Sequence, residues 1–171
     1  MLKIDQMYKK KILIYFLLLF LNFNNSYSDI ISKFQISGND RISDETIILF
    51  SGYKVNDNID ESDLNKIIKE LYKTSFFKKI SLNFDNGILY INVNENPLIQ
   101  SIIFEGIKND SLVEKIKEIL LQKEKSSFVE SKIKDDRDRI LNSLRMSGYY
   151  FSEVSTKTKR NNNNTVDIVY N

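Results

Sequence analysis

Ile80-Ser81-Leu82-Asn83-Phe84-Asp85-Asn86-Gly87-Ile88-Leu89-Tyr90-Ile91-Asn92-Val93 decides the fold. Ile80, Leu82 and Phe84 alternate with Ser81 and Asn83, and Leu89, Ile91 and Val93 alternate beyond the break. A period of two marks a strand with one buried face. Asn86-Gly87 is the strongest two-residue hairpin signal, because both positions tolerate positive φ. Such a loop sets Asp85 opposite Ile88, Phe84 opposite Leu89, Leu82 opposite Ile91 and Ile80 opposite Val93. Every inward residue then meets an inward residue, and a slip of one would turn a whole set into water.

The apolar face of this hairpin needs a cover, and the residues before it supply one. Leu64, Ile67, Ile68, Leu71 and Tyr72 fall at i, i+3, i+4, i+7 and i+8, one face of an α-helix. Asp60 caps its start. A shorter helix runs from the cap Ser43 to about residue 50, with Asp44 and Glu45 in its first turn and Ser51-Gly52 at its end. A strand over residues 30–36 comes first. The order is β-α-α-β-β.

The same order returns downstream. A strand is expected over residues 98–104 and a helix behind the capping box Ser111/Glu114, with Leu112, Ile116, Ile119 and Leu120 as its stripe. A longer helix is expected behind Ser127/Glu130, with Val129, Ile133, Ile140, Leu141 and Leu144 inward and the charge run 132–139 mostly solvated. Gly148 ends it. Two strands follow, over about residues 150–159 and 165–170. A five-residue loop, 160–164, sets Thr158 opposite Val166, Thr156 opposite Ile168 and Val154 opposite Tyr170. The units superpose: Ile36-Ser37-Gly38 falls on Phe104-Glu105-Gly106, and Leu71 with Phe76-Phe77 falls on Leu144 with Tyr149-Tyr150. One ring of each aromatic pair is expected in the core. Arg137, near the apolar stripe, reads as a side chain whose stem lies on apolar surface with its charge in water.

The predicted class is α+β: two tandem β-α-α-β-β domains, each a three-stranded mixed sheet covered on one face by two helices. The last strand of each sheet is central, antiparallel to its hairpin partner and parallel to the first strand. Residues 29–96 form the first domain and 97–171 the second, joined at Pro97, the sole proline. At about 70 residues each, such domains bury roughly 60% of their unfolded surface.

Composition bounds the chemistry. With 171 residues there is room for two small domains at most. The chain has no Cys and no His, which excludes disulfides, thiol nucleophiles, Cys/His zinc sites and histidine bases. No cofactor, no metal and no enzymatic activity are expected. Lys3 and Lys9 to Lys11 precede the apolar run 12–21, and the polar stretch 22–28 ends in Ser26-Tyr27-Ser28. This is the pattern of a secretory signal peptide, residues 1–28, cleaved before Asp29. The run falls well short of the ~20 residues that span a bilayer. Residues 1–28 hold four basic residues and one acidic one, so the remainder carries 21 basic and 22 acidic residues, net −1. No basic patch with interleaved aromatics is left to argue for nucleic acid.

Three stretches carry a resemblance. They are residues 36–42 (ISGNDRI), residues 71–77 (LYKTSFF) and residues 89–99 (LYINVNENPLI), with residues 102–106 and Gly148-Tyr149-Tyr150 in the second unit. In order, spacing and repetition they resemble the POTRA domains of the outer-membrane barrel assembly factors of the BamA family. The likeness covers residues 30–170. It implies a periplasmic scaffold, associated with the outer membrane through a barrel that these residues do not contain. It also implies unfolded outer-membrane β-barrel proteins and accessory assembly lipoproteins as partners, and no nucleic acid. Two-partner secretion transporters also carry two POTRA domains before a barrel, and a division protein of the FtsQ type carries one after an N-terminal helix. Tandem units and a short apolar run argue against the second. A KH-like nucleic-acid module shares the β-α-α-β core but needs a GxxG loop, which residues 51–58 and 122–126 lack.

The candidate binding element is the backbone of Ile80, Ser81, Leu82, Asn83 and Phe84. An edge strand offers unpaired N–H and C=O groups to an extended peptide, whatever the peptide's sequence. The same strand also reads as an ordinary surface edge, with Lys78 and Lys79 there to discourage pairing.

Overall fold

A computed structural model describes residues 29–171; the expected signal peptide and its cleavage site lie outside the described residues. The first unit opens with β1 (Asp29–Ile30) and β2 (Lys33–Ser37) and continues through α1 (Asp44–Ser51), β3 (Asn58–Ile59) and α2 (Glu61–Lys73). The hairpin β4 (Phe77–Asp85) and β5 (Ile88–Glu95) closes it. The second unit runs β6 (Leu98–Phe104), α3 (Asp110–Ile119), α4 (Lys132–Met146), β7 (Thr156–Arg160) and β8 (Thr165–Tyr170).

The hairpin folds as its pattern dictates. Asn86 (φ 49°) and Gly87 (φ 78°) are both left-handed, the signature of a type I′ turn. The pairs are Asp85 with Ile88, Phe84 with Leu89, Leu82 with Ile91 and Ile80 with Val93. β5 lies in the middle of its sheet, antiparallel to β4 and parallel to β2, and β8 holds the same place between β7 and β6. The expected strand over residues 30–36 is broken instead. Residues 29–30 leave the sheet and pair antiparallel with Asn58–Ile59, which lets Ile31 sink fully into the core.

The helices begin where their caps allow. Ser43 accepts from the Thr46 N–H at the start of α1, and Asp60 and Asp63 form a reciprocal capping box at the start of α2. α2 lays Ile67 and Leu71, both fully buried, against Leu89 and Ile91 of the sheet. Each such side chain contributes about 2 kcal/mol of burial. A second, separate core collects Ile99, Ile116, Ile140, Val166 and Ile168.

In the second unit neither expected capping box forms. Asn109, not Ser111, caps α3, accepting from the Leu112 N–H. Asparagine competes well for this position, and the two residues it adds were hidden behind a plausible Ser/Glu pair. Ser127 is taken elsewhere: it bridges to Leu98 while the Phe128 N–H donates to the Pro97 carbonyl, so α4 begins only at Lys132. The run 132–139 is not wholly solvated. Asp136 is fully buried, accepting from the Leu121 and Gln122 N–H groups, and the Gln122 side chain accepts from the Val129 N–H. These two side chains knit the connection between α3 and α4.

The last hairpin is shorter than expected and shifted by two. The Asn161 N–H closes a three-residue loop, 162–164, onto the Thr165 carbonyl, Asn164 turns at φ 52°, and Thr158 pairs with Ile168, Thr156 with Tyr170 and Arg160 with Val166. A shift of two preserves the face of every side chain. Val154 therefore precedes the strand. Tyr149 and Tyr150 lie in the turn before it, 50% and 70% exposed, against the expectation of a buried ring. Phe77 does enter the first core, and Phe76 packs on it, edge-on to Phe77.

Candidate peptide-binding edge

Ile80, Ser81, Leu82, Asn83 and Phe84 lie on β4, which is an edge strand. The type I′ turn fixes which of their backbone groups are free. In such a hairpin the closing pair, Asp85 and Ile88, exchanges both of its hydrogen bonds, and the pattern then alternates. Ser81 and Asn83 therefore bond to β5. Ile80, Leu82 and Phe84 turn their N–H and C=O groups outward. The same alternation places the Ile80, Leu82 and Phe84 side chains toward the helices, with Ser81 and Asn83 exposed on the other face.

One of these outward groups has a partner. The Ile80 N–H donates to the Tyr72 hydroxyl of α2 at 3.1 Å. Tyr72 continues the apolar stripe of its helix, but its ring lies half in solvent and its oxygen reaches over the edge. Just upstream, a register irregularity between Phe77 and Lys79 breaks the ladder. The open edge is thus narrower than the five residues: its free donors are Leu82 and Phe84. Lys78 and Lys79 stand exposed at its start.

The opposite edge is partly closed. The Ile31 N–H donates to the Asp57 carbonyl and the Asn56 N–H to the Ile31 carbonyl, which covers the chain just before β2. In the second unit the Ile99 N–H donates to the Ser126 carbonyl and the Lys125 N–H to the Ile99 carbonyl, which covers the start of β6.

The joint between the units is a polar cluster that sequence reasoning missed. The Glu95 carboxylate is buried and accepts from the N–H groups of Asp40, Arg41 and Ile42 at 2.9–3.0 Å and from Arg41 Nε at 2.9 Å. Burial works to raise this carboxyl, but the three backbone donors and the Arg41 charge outweigh it and hold it below its ordinary value. Arg41 also donates to the Asn96 carbonyl at 2.7 Å, and Asn96 ties back to Phe76 and Ser75. The one sequence signal was a charged residue ending a strand on its buried face. Among the described residues, no group of three or more acidic side chains is placed to hold a metal ion, and no helix is long and apolar enough to cross a membrane.

Comparison with known proteins agrees with this architecture. The POTRA family model, described as a surface antigen variable number repeat, matches residues 97–171. The outer membrane protein assembly factor BamA of Neorickettsia risticii (strain Illinois) is 29% identical over 142 residues, 82% of this chain. The chain spans only 18% of the length of that relative. The N-terminal domain of Omp85 from Thermosynechococcus elongatus superposes with a TM-score of 0.58 at 13% identity, over 85% of this chain and 63% of that one. POTRA1-2 of the periplasmic domain of Omp85 from Anabaena superposes with a TM-score of 0.50 at 11% identity, over 84% of this chain and 96% of that one. At such identities the likeness to the solved structures is one of fold. Residues 97–171 match the POTRA family model by sequence, and residues 29–96 repeat the same β-α-α-β-β fold.

Proposed function

We propose that this chain is the periplasmic scaffold of an outer-membrane barrel assembly factor, with its domains divided at Asn96-Pro97. On this reading it is exported by cleavage before Asp29, associates with the outer membrane through a barrel outside these residues, and docks accessory lipoproteins. Its clients are unfolded outer-membrane proteins, whose extended segments add to the sheet along Ile80, Leu82 and Phe84. The observation that carries this is an edge strand with outward backbone groups and an apolar, helix-facing side, in a sheet whose opposite edge is partly closed. Recognition through main-chain hydrogen bonds needs little sequence in common among clients. It is also weak, millimolar to tens of micromolar, because each hydrogen bond nets only about 1 kcal/mol.

The test is a chemical-shift titration of the labelled chain with a peptide from an outer-membrane barrel strand. Shifts are expected on residues 79–85 and along α2. Shifts confined to residues 33–37 would mean that the other edge binds. No saturable shift on any strand would leave the domain a spacer that docks partner proteins.

A further inference from the structure

We propose that the outer edge of the second domain, β7, is a separate docking site, selective for extended segments rich in acidic residues. This rests on the augmentation reading above and names the chemistry of a second client.

The backbone of β7 is open. Ser155 and Asn171 exchange both of their hydrogen bonds at 3.0 Å, so by alternation Lys157 and Lys159 bond to β8 while Thr156, Thr158 and Arg160 face outward. Nothing plays the part of Tyr72 here. Leu144 stands on α4 where Leu71 stands on α2, and the next residue is Arg145, exposed. Among the described residues no side-chain hydrogen bond links α4 to β7.

The groove beside this edge is unlike its counterpart in the first domain. Where β4 turns Ile80, Leu82 and Phe84 toward its helix, β7 turns Thr156, Thr158 and Arg160. A cleft of about 320 Å³ separates β7 from α4, with Lys134 and Arg137 on its helix wall and both threonines on its strand wall. The Thr156 hydroxyl oxygen is buried there without a hydrogen-bond partner. Lys157 and Lys159 stand exposed on the other face of the same strand. Five cations thus flank one short edge, and none of them is ion-paired with a described residue. Two acids face them: Glu130 on the cleft wall, and Asp167, which is held by Ser101 and Asn161 and lies in the field of Lys159. Over the cleft lining, β7 and its partners on β8 the surplus is three positive charges, whereas residues 29–171 as a whole are slightly acidic, and Asp135 and Asp138 stand exposed elsewhere on α4. An added strand places alternate side chains over the cleft and over Lys157 and Lys159, so carboxylates on either face meet a cation.

Two nine-residue peptides with the same alternating valines test this, one with glutamate and the other with glutamine at the remaining positions. Each is titrated into the isotopically labelled chain. The glutamate peptide should shift the Thr156, Thr158 and Arg160 amides and bind about tenfold more tightly at low salt, the sum of a few exposed ion pairs. That advantage should fade as salt is raised. Lys134→Gln with Arg137→Gln should remove most of the preference while leaving the glutamine peptide's affinity unchanged. Equal affinities at β7 would overturn the acid selectivity and leave augmentation standing. Shifts on β4 alone would overturn β7 as a site. Shifts on neither edge would overturn augmentation itself. A short polyphosphate that moves the same amides as strongly as the glutamate peptide would overturn the proposal in favour of a general anion patch.

Discussion

The hydroxyl of Tyr72 accepts a hydrogen bond from the N–H of Ile80, so a helix side chain occupies one of the outward donors on the first domain's open edge. An incoming strand must displace that oxygen to pair with residue 80. Tyr72→Phe removes the competitor and keeps the ring. Binding of a barrel-strand peptide should tighten by about fivefold, the worth of one net hydrogen bond. Stability should change by no more than about 1 kcal/mol. A titration of both variants by amide shifts checks this, and unchanged affinity would mean that residue 80 lies outside the paired segment.

Glu95→Gln should destabilise the first domain by about 2–3 kcal/mol. The amide still offers one acceptor oxygen, but it loses the charge that three N–H groups and Arg41 converge on. Urea unfolding followed on first-domain signals measures the loss.

The same carboxylate gives a pH dependence of known sign. Its folded-state pKa lies below the unfolded one, so its contribution is present above the ordinary glutamate range. It is lost as pH falls through the depressed folded value. Between neutral pH and strongly acid solution the wild type should therefore lose more stability than Glu95→Gln does, and the two curves should converge at the acid end.

Gly38→Ala should cost about 3 kcal/mol or more. Gly38 holds φ 81°, and a Cβ there would collide with the Val93 carbonyl oxygen, which is backbone and has nowhere to go. Thermal unfolding of this variant should show the first transition lowered. Gly52, with open space around its Cβ position, should tolerate alanine far better, with only its own φ strain to bear.

Ile91→Ala should cost about 2–5 kcal/mol, enough to unfold the first domain while the second survives. Ile91 is fully buried at the centre of its sheet, and the second core shares none of its residues. Amide spectra of the whole chain show which half is lost. Leu82, opposite Ile91 but only half buried, should give a milder effect on truncation.

What the sequence made legible follows from how local each signal was. Asn86-Gly87 with strict alternation determined a register to the residue, since turn type and burial demanded the same pairing. In the last hairpin four asparagines offered several loops of similar quality, and threonines on the inward face left no penalty to separate a shift of two. The capping boxes at Ser111 and Ser127 failed for a different reason. Both are local patterns, and both were overruled by partners distant in sequence or by a better cap two residues away. The edge itself was visible from strand order. Tyr72 was not, because a tyrosine ending an apolar stripe gives no hint of where its hydroxyl points. Asp136 was equally silent, since a buried acid looks like any surface acid until its donors are known, and Glu95 signalled only by ending a strand on its buried face.

The joint leaves the chain no slack. Asn96 uses its N–H, its side-chain amide and its carbonyl within the first domain, the Pro97 carbonyl is taken by Phe128, and the Leu98 N–H donates to the Asn164 carbonyl. A swivel needs a residue whose backbone answers only to solvent, and these three residues provide none. If both edges take clients as proposed, the spacing between β4 and β7 acts as a ruler. For a client long enough to reach both, the second contact forms at an effective concentration set by that spacing, so two weak grips multiply without either being strong. Loosening the joint, as Asn96→Gly with Pro97→Gly would, should weaken long clients and leave short peptides unaffected.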